Sequence, residues 1–227
     1  ALERKQSRQT TTAKEKTMKN AVIAGASVYG LNNISDDVMF KVFCDGLHEE
    51  IDDLHITLLA RHPRRDFDLK NKVESIRNLE YDSKKESMKY EWFRGFNPGD
   101  NTDHLKEIYC RIKNCQALIV GGGPFIDISI GLYKGLLPYV TQLITLARFL
   151  QKPVVFNGVH MGRPLNTSFA KELTRYCIDN ADLVTVRENF SLPVFESMGV
   201  RTDHMRVLAD AGWGIDPSEK ASGYAVL

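Results

Sequence analysis

The pattern of this sequence is clearest at Ala117-Leu-Ile-Val-Gly-Gly-Gly123, where an apolar run passes directly into three glycines. A short apolar run of this kind predicts a buried β-strand, Ala117–Val120, and the glycines predict a turn at its carboxyl end. Leu136–Leu150 predicts a well-buried helix, because it is apolar on most sides, and Val154–Phe156 predicts the next strand. Apolar strands that alternate with helices are typical of a parallel sheet covered on both faces.

The same alternation extends through most of the chain. The first helix is expected to begin at a cap formed by Asp36 or Asp37. Its core face is expected to comprise Val38, Met39, Val42, Phe43 and Leu47. We therefore expect an α/β protein with a Rossmann-like, doubly wound parallel sheet of about six strands. The predicted strands are Ala21–Ala26, His55–Ala60, Ala117–Val120, Val154–Phe156, Leu183–Val186 and Arg206–Ala209.

Composition and charge exclude several classes of protein. The chain has 227 residues, of which 43% are hydrophobic and 26% are charged, as in an ordinary globular protein. The net charge of +1 gives no overall attraction to nucleic acid, so no nucleic-acid partner is expected. No apolar run approaches the roughly 20 residues of a transmembrane helix. We expect a cytoplasmic location, and peripheral association with a membrane surface stays open.

The cysteines give no sign of a metal or redox site. Cys44, Cys110, Cys115 and Cys177 lack the C-x-x-C spacing of many such sites. In a chain of this length, reduced thiols are favoured over a disulfide framework. Cysteine and histidine residues are not grouped at the spacing of zinc ligands, so no metal is expected.

Three regions are expected along the chain. Residues 1–20 are basic and contain no apolar cluster, which indicates a flexible arm. Residues 21–216 are expected to form one Rossmann-like domain, and the polar residues 61–102 are an excursion within it with some secondary structure of its own. Residues 217–227 are expected to be a linker and the start of a C-terminal domain, because Tyr224–Leu227 is similar to the beginning of a strand.

The loop after the first strand is a candidate anion site. Asn33 and Asp36 belong to the segment Asn32-Asn-Ile-Ser-Asp36, which opens the first helix. Backbone amides at a helix N-terminus attract anions, although a plain turn with an N-cap would have the same sequence. The preceding Gly25-Ala-Ser-Val-Tyr-Gly30 is not G-x-G-x-x-G, so a nicotinamide site is disfavoured.

Gly121, Gly122 and Gly123 form a second candidate site, directly after the predicted strand Ala117–Val120. Glycines allow backbone amides to approach a ligand closely, and a tight strand–helix turn is the alternative interpretation. Asp127 follows shortly after and can accept a hydrogen bond from a sugar hydroxyl.

The later strands end beside candidate catalytic side chains. His160 and Arg163 lie in the loop 157–166, from which both can reach the ligand crevice. Arg187 directly follows a strand and suits a carboxylate or a phosphate. His160 is alternatively a surface histidine.

Two further polar residues accompany Arg187. Ser191 begins the next predicted helix, and Asp210 closes the last predicted strand, where it can cap a turn or orient a ligand. A surface pair between Arg187 and Glu188 is the alternative to a binding role for the arginine.

Five short motifs occur in a fixed order: Tyr29-Gly30 with Asn33-Ile34-Ser35-Asp36, Gly121–Gly123, Lys152-Pro-Val-Val155, Val186-Arg187-Glu188 with Ser191, and Ala209-Asp210. In this order they resemble the polysaccharide pyruvyl transferase family over roughly residues 21–216. The sequence departs from the family pattern at three points. Ser35 replaces a glycine, Glu188 replaces an aspartate, and Val159-His160 stands where Gln-Gly is usual.

The resemblance implies a transferase that moves pyruvate from phosphoenolpyruvate to a sugar as a cyclic ketal, in the synthesis of cell-surface or exopolysaccharides. It implies no cofactor, with phosphoenolpyruvate as donor and a sugar or glycan as acceptor. Arg187 would bind a donor anion, and His160 would act as an acid or bind a sugar hydroxyl. The expected substrate-binding residues are Asn33, Asp36, Gly121, Gly122, Gly123, Asp127, Ser191 and Asp210.

The resemblance also implies a GT-B-like enzyme of two domains, of which this chain is the N-terminal one and holds an incomplete active site. Two other functions stay open. A nucleotide-sugar-dependent GT-B glycosyltransferase would release a nucleotide instead of phosphate. A non-catalytic Rossmann-like binding module would use the basic arm and the cluster Arg61–Arg65 as contact surfaces.

Overall fold

The computed structural model of the chain describes residues 18–25, 34–101, 103–121, 134–209 and 214. Five residues singled out from the sequence lie outside the described residues: Asn33, Gly122, Gly123, Asp127 and Asp210. Most of the arm 1–20 and all of the segment 217–227 also lie outside them. The elements in chain order are β1 (Lys19–Gly25), α1 (Ile34–Glu50), β2 (Leu54–Ala60), α2 (Arg65–Asn71), β3 (Glu74–Arg77), α3 (Lys84–Ser87), α4 (Asp103–Asn114), β4 (Ala117–Gly121), α5 (Leu136–Phe149), β5 (Val154–Val159), α6 (Ser168–Asp179), β6 (Leu183–Val186), α7 (Ser191–Ser197) and β7 (Met205–Val207).

The strands form one parallel sheet in the order β3-β2-β1-β4-β5-β6-β7. The predicted α/β class and the Rossmann-like, doubly wound parallel sheet are therefore confirmed. Seven strands are present in the described part of the chain, one more than the sequence indicates. The additional strand is β3, an edge strand in which only Ile76 is buried, so it lacks the apolar run that marks the others.

Both faces of the sheet are buried, which explains why its strands are apolar throughout. Along β1, Val22 and Ala24 point into one core cluster, and Ala21 and Ile23 point into another. Helices α4 to α7 contribute side chains to the first cluster, and α1 and α2 to the second. Burying successive residues on opposite faces leaves no polar side to the strand.

The first helix differs from its prediction. It begins at Ile34, so Asp36 and Asp37 lie in its first turn and neither is the cap. The residues that are fully buried are Asp37, Phe40 and Cys44, and not the expected face. Phe43 and Leu47 of that face do pack against the core cluster, since they lie three or four residues from Phe40 and Cys44.

The rest of the expected face of α1 is turned toward the carboxyl ends of the strands. Val38, Met39 and Val42 are only partly buried and belong to neither core cluster. Met39 lies beside Arg187, which follows β6, and a Cβ at Gly214 would lie 2.7 Å from Val42. The sequence pattern therefore combined residues from two faces of α1, one that packs on the sheet and one that lies at the carboxyl ends of its strands.

The remaining predicted elements agree with the structure apart from their ends. Strand β5 extends to Val159, three residues beyond the predicted end, and β7 spans Met205–Val207 instead of Arg206–Ala209. Helix α5 matches the prediction except for Leu150, which caps it. The excursion 61–102 has secondary structure of its own, as expected, in α2, β3 and α3.

All four cysteines are free, and they fall into two groups. Cys44, Cys115 and Cys177 are buried, and burial raises the pKa of each thiol, to about 12 for Cys44 and Cys177. Cys110 on α4 is exposed. Within the described residues, no helix combines the length and the apolar character needed to cross a membrane.

The strand order of the sheet reverses between β1 and β4. Strands β2 and β3 lie on the β1 side, and β5 to β7 lie on the β4 side. Strands β1 and β4 are neighbours at the centre of the sheet, but β1 leads to α1 on one face while α5, which follows β4, lies on the other. Such a switch point opens a crevice beyond the carboxyl ends of the two strands. At that end Gly25 pairs with Gly121, and a Cβ at Gly25 would lie 2.1 Å from the carbonyl oxygen of Gly121.

We expect Gly25→Ala to lower the free energy of unfolding by about 3 kcal/mol, because its methyl group would collide with backbone that cannot move independently. Gly46→Ala is the matched control. It lies in α1 with no atom within 4 Å of the added Cβ, and should raise the free energy of unfolding by about 0.5–1 kcal/mol. Urea unfolding of both variants measures the difference. Equal stability of Gly25→Ala and the parent chain would contradict the close packing of β1 on β4.

Candidate functional site

The carboxyl end of β5 is irregular, and this irregularity presents the loop that carries His160. The pairing of β5 with β6 shifts between Phe156 and Val159. Gly158 has a φ of +64°, which favours glycine, and its N–H donates to the hydroxyl of Thr185 on β6 at 2.7 Å. Bulges of this kind re-aim the residues that follow them.

Glu188 joins the predicted site residues into one cluster. Its carboxylate accepts hydrogen bonds from His160 Nδ1 and, at 2.9 Å, from Ser191 Oγ. Its second oxygen lies 3.5 Å from Arg187 Nε. The structure therefore brings together His160, Arg187 and Ser191, which come from two different strand ends.

The pair between Arg187 and Glu188, weighed above as an alternative to a binding role, is present in the structure. This pair does not make Arg187 a mere surface residue. The carboxylate of Glu188 also binds His160, so Arg187 lies in the same cluster as the histidine. Sequence reasoning noticed Glu188 as a replacement for the family aspartate and as a surface partner of Arg187, and did not connect it to His160. Its position directly after Arg187 and three residues before Ser191 was the signal that could have identified it.

The imidazole of His160 is clamped on several sides. The ring of Phe190 meets it edge to face, with 5.5 Å between the ring centroids. A Cβ at Gly162 would lie 3.2 Å from His160 Nε2, so a larger residue there would press on the ring. With Nδ1 committed to Glu188, Nε2 is the ring nitrogen left for other chemistry. Nothing in the sequence marked Phe190 as part of the site.

Ser191 connects two segments of the cluster. Its side chain is fully buried, and its oxygen accepts a hydrogen bond from the N–H of Met161 at 3.0 Å. It thereby ties the loop that carries His160 to the start of α7. Arg163, by contrast, is exposed on the same loop.

Asp36 at the start of α1 faces Arg187 across the sheet edge. Burial raises the pKa of the Asp36 carboxyl, the neighbouring Asp37 raises it further, and the positive charge of Arg187 opposes both. A contact of 3.6 Å between Arg187 Nη1 and Met39 Sδ connects the same two elements. The first turns of α1 therefore pack over the end of β6, as a shared binding crevice requires.

The chain is similar to known proteins in its sequence profile and in its backbone structure. The family profile for polysaccharide pyruvyl transferase matches residues 36–225. No match was found among curated protein sequences.

Among solved structures, the chain is similar to Alr3699/HepE from Anabaena, determined with UDP and glucose, at 12% identity and a TM-score of 0.49. The match covers 86% of this chain and 44% of that one. It is also similar to UDP-GlcNAc 2-epimerase from Neisseria meningitidis, at 10% identity and a TM-score of 0.46, over 84% of this chain and 45% of the epimerase. The chain thus spans less than half the length of these proteins.

The raised pKa of Asp36 predicts a particular pH dependence of stability. The folded chain binds the Asp36 proton more tightly than the unfolded chain does, so ionisation of Asp36 costs stability. This cost should appear as the pH rises from 3.8, the ordinary value, through the raised value in the folded chain. Asp36→Asn removes the titration. The free energy of unfolding of the parent chain should therefore fall relative to that of Asp36→Asn as the pH rises, measured by urea unfolding at several pH values.

Asp66→Asn serves as the control of opposite sign. A hydrogen bond from Arg64 lowers the pKa of the exposed Asp66. The parent chain should therefore gain stability relative to Asp66→Asn as the pH rises from the lowered value in the folded chain to the ordinary value of 3.8. If both variants show the same sign, the environment described for Asp36 is wrong.

Glu188→Gln should allow the proton of the neutral His160 ring to occupy either ring nitrogen. A carboxylate can only accept a hydrogen bond, so Glu188 keeps the proton of the neutral ring on Nδ1, whereas an amide can also donate. We expect ¹⁵N chemical shifts of His160 in mildly alkaline solution to show one tautomer in the parent chain and a mixture in Glu188→Gln. Ser191→Ala keeps the carboxylate and should keep the parent tautomer. An unchanged tautomer in Glu188→Gln would show that another group orients the ring.

Proposed function

The chain belongs to the polysaccharide pyruvyl transferase family, and we propose that it serves the transfer of a pyruvyl group from phosphoenolpyruvate to a sugar of a polysaccharide. The observation that carries the proposal is the cluster of Arg187, Glu188 and His160 at the carboxyl edge of the sheet. This is the edge at which parallel α/β sheets bind ligands. The cluster combines a cation for an anionic donor with a group that can transfer a proton.

Arg187 is proposed to bind the donor. Phosphoenolpyruvate carries a carboxylate and a phosphate, and a guanidinium forms paired hydrogen bonds with either. Glu188 and Met39 hold the guanidinium between the end of β6 and α1. Asp36 is a second carboxyl near this cation, and the positive charge of Arg187 opposes the rise in its pKa that burial and Asp37 cause.

His160 is proposed to be the acid. In the reaction, C3 of phosphoenolpyruvate gains a proton, and oxocarbenium character develops at C2. Two sugar hydroxyl oxygens then bond to C2 and lose their protons, while the bond from C2 to the phosphate oxygen breaks. An imidazolium can donate the first proton from Nε2, because Glu188 stabilises its positive charge at Nδ1.

The proposal includes a second domain. The donor carries two anionic groups, and in the cluster it would meet Arg187. Glu188 already partly neutralises the positive charge of that arginine. Further cations are therefore needed to hold the phosphate as it leaves. We propose that they come from the C-terminal domain that the motif pattern implies, so that activity belongs to the full-length protein.

Release of inorganic phosphate from phosphoenolpyruvate, in the presence of polysaccharide fragments, tests the function. It should require both substrates and yield a pyruvylated glycan detectable by mass spectrometry. Release of a nucleotide from a nucleotide sugar would replace the proposal with glycosyl transfer. Glycan binding with neither reaction would indicate a binding module.

Arg187→Ala in the full-length protein should lower kcat/KM for phosphoenolpyruvate on the order of 100-fold, as expected for the loss of a charge-assisted hydrogen-bonded pair. The KM for the donor should rise. Arg148→Ala is the matched control, because Arg148 pairs with Asp182 at 2.9 Å near the amino end of β6, on the opposite edge of the sheet. Unchanged donor kinetics in Arg187→Ala would remove Arg187 from the mechanism.

A further inference from the structure

Residues 81–98, here called the aromatic segment, lie on the same edge of the sheet as the Arg187 cluster. The segment follows the carboxyl end of β3, and all seven strands are parallel. Lys134, which precedes α5, donates from Nζ to the carbonyl oxygens of Ser87 and Tyr90. Phe93 of the segment packs edge to face on Tyr139 of α5, with ring centroids 6.1 Å apart. The segment is therefore fixed beside α5 and the residue Lys134 that precedes it.

The side chain of Asn97 organises this segment. Its oxygen accepts from the N–H of Trp92 at 3.2 Å, and its nitrogen donates to the carbonyl oxygens of Trp92 and Phe93, both at 3.1 Å. The same amide bonds the hydroxyl of Tyr81, whose ring stacks on Tyr90 with centroids 4.9 Å apart. Residues 88–98, which follow α3 and form neither helix nor strand, are thus joined to one another and to Tyr81 by a single buried amide.

Three aromatic rings nevertheless stay exposed on this ordered segment. Tyr90, Trp92 and Phe96 are 37%, 39% and 43% exposed, although Phe93 between them is buried. Exposing large apolar rings to water is unfavourable, and clusters of them mark binding surfaces more often than chance positions. Because Asn97 and Tyr81 hold the backbone beneath them, the rings offer a surface formed before any ligand arrives.

We propose that Tyr90, Trp92 and Phe96 form a glycan-binding surface that holds the acceptor polysaccharide on the edge of the sheet that carries the Arg187 cluster. The ligand class follows from the chemistry of the surface. A sugar ring has a face of C–H groups that packs on an aromatic ring, and hydroxyls at its rim that bond polar neighbours. Arg94 within the segment, over the ring of Tyr81, and Asp100 just beyond it, bonded to the N–H of Gly95, supply such polar groups. Several exposed rings on one short segment can each contact a sugar of a polysaccharide acceptor.

The inference rests on the proposed function for its acceptor, but binding can be tested without turnover. The chain has two tryptophans, Trp92 and Trp213, so Trp213→Phe leaves Trp92 as the fluorescent reporter. The probes are defined hexasaccharides of glucose, galactose and mannose in α and β linkage. At least one should change the Trp92 emission, and saturation-transfer NMR should show contact between its C–H protons and the protein.

Trp92→Ala and Tyr90→Ala should each weaken glycan binding about tenfold, as expected for the loss of one stacked ring. In the full-length protein they should raise the acceptor KM by a similar factor and leave the donor KM unchanged. Trp92→Phe keeps a ring and should retain most of the binding, which separates stacking from misfolding. Phe149→Ala is the matched control, since Phe149 is an exposed ring, 82% accessible, at the far end of α5.

The outcomes separate this inference from the proposed function. Phosphate release with an unchanged acceptor KM in both ring variants overturns the glycan surface and leaves the transferase standing. Glycan binding that depends on Trp92, without any phosphate release, supports the surface and overturns the transferase. Failure of every probe to bind overturns the surface, as does conversion of a dimer to a monomer by Trp92→Ala, which would assign the rings to contact between two copies of the chain.

Discussion

The approach of Gly25 to the carbonyl of Gly121 is the constraint on which the rest of the structure depends. It allows β1 and β4 to pair up to their last residues, at the centre of the sheet. Strands β2 and β3 extend the sheet on one side of this pair, and β5 to β7 extend it on the other. Helices α1 and α2 cover one face, and α4 to α7 cover the opposite face. The candidate ligand groups among the described residues then fall on one edge, because parallel strands all end there.

At this edge the charges are arranged as a chain and not as isolated pairs. Glu188 lies between His160, Ser191 and Arg187, and Arg187 in turn acts on Asp36. Three separate elements, the loop after β5, the end of β6 and the start of α1, are thereby coupled electrostatically. An anion bound by Arg187 would weaken the attraction between Arg187 and Glu188. It would thereby change how strongly Glu188 interacts with the imidazole of His160. Donor binding and proton transfer are thus linked in this proposal by one carboxylate.

The sequence was informative where local pattern and tertiary environment agree. Apolar strands buried on both faces were recognisable, and Arg187, His160 and Asp36 could be selected because they follow strand ends. Strand β3 was missed, because an edge strand with one buried residue has no apolar run. The face of α1 was misjudged, because Met39 and Val42 pack beside Arg187 and Gly214 and not on the sheet. Glu188 and Asn97 act through contacts that join separate loops or irregular backbone, which periodicity does not encode.

The distribution of thiols has a practical consequence for studying this molecule. Three cysteines are buried and hold their protons tightly, whereas Cys110 is exposed on α4, near the amino ends of β1 and β2. A thiolate-selective reagent in neutral solution therefore meets one accessible target in the native fold. A probe attached there would report from the edge opposite the Arg187 cluster. The native chain thus carries a built-in attachment point for measuring distances across the sheet, without an engineered cysteine.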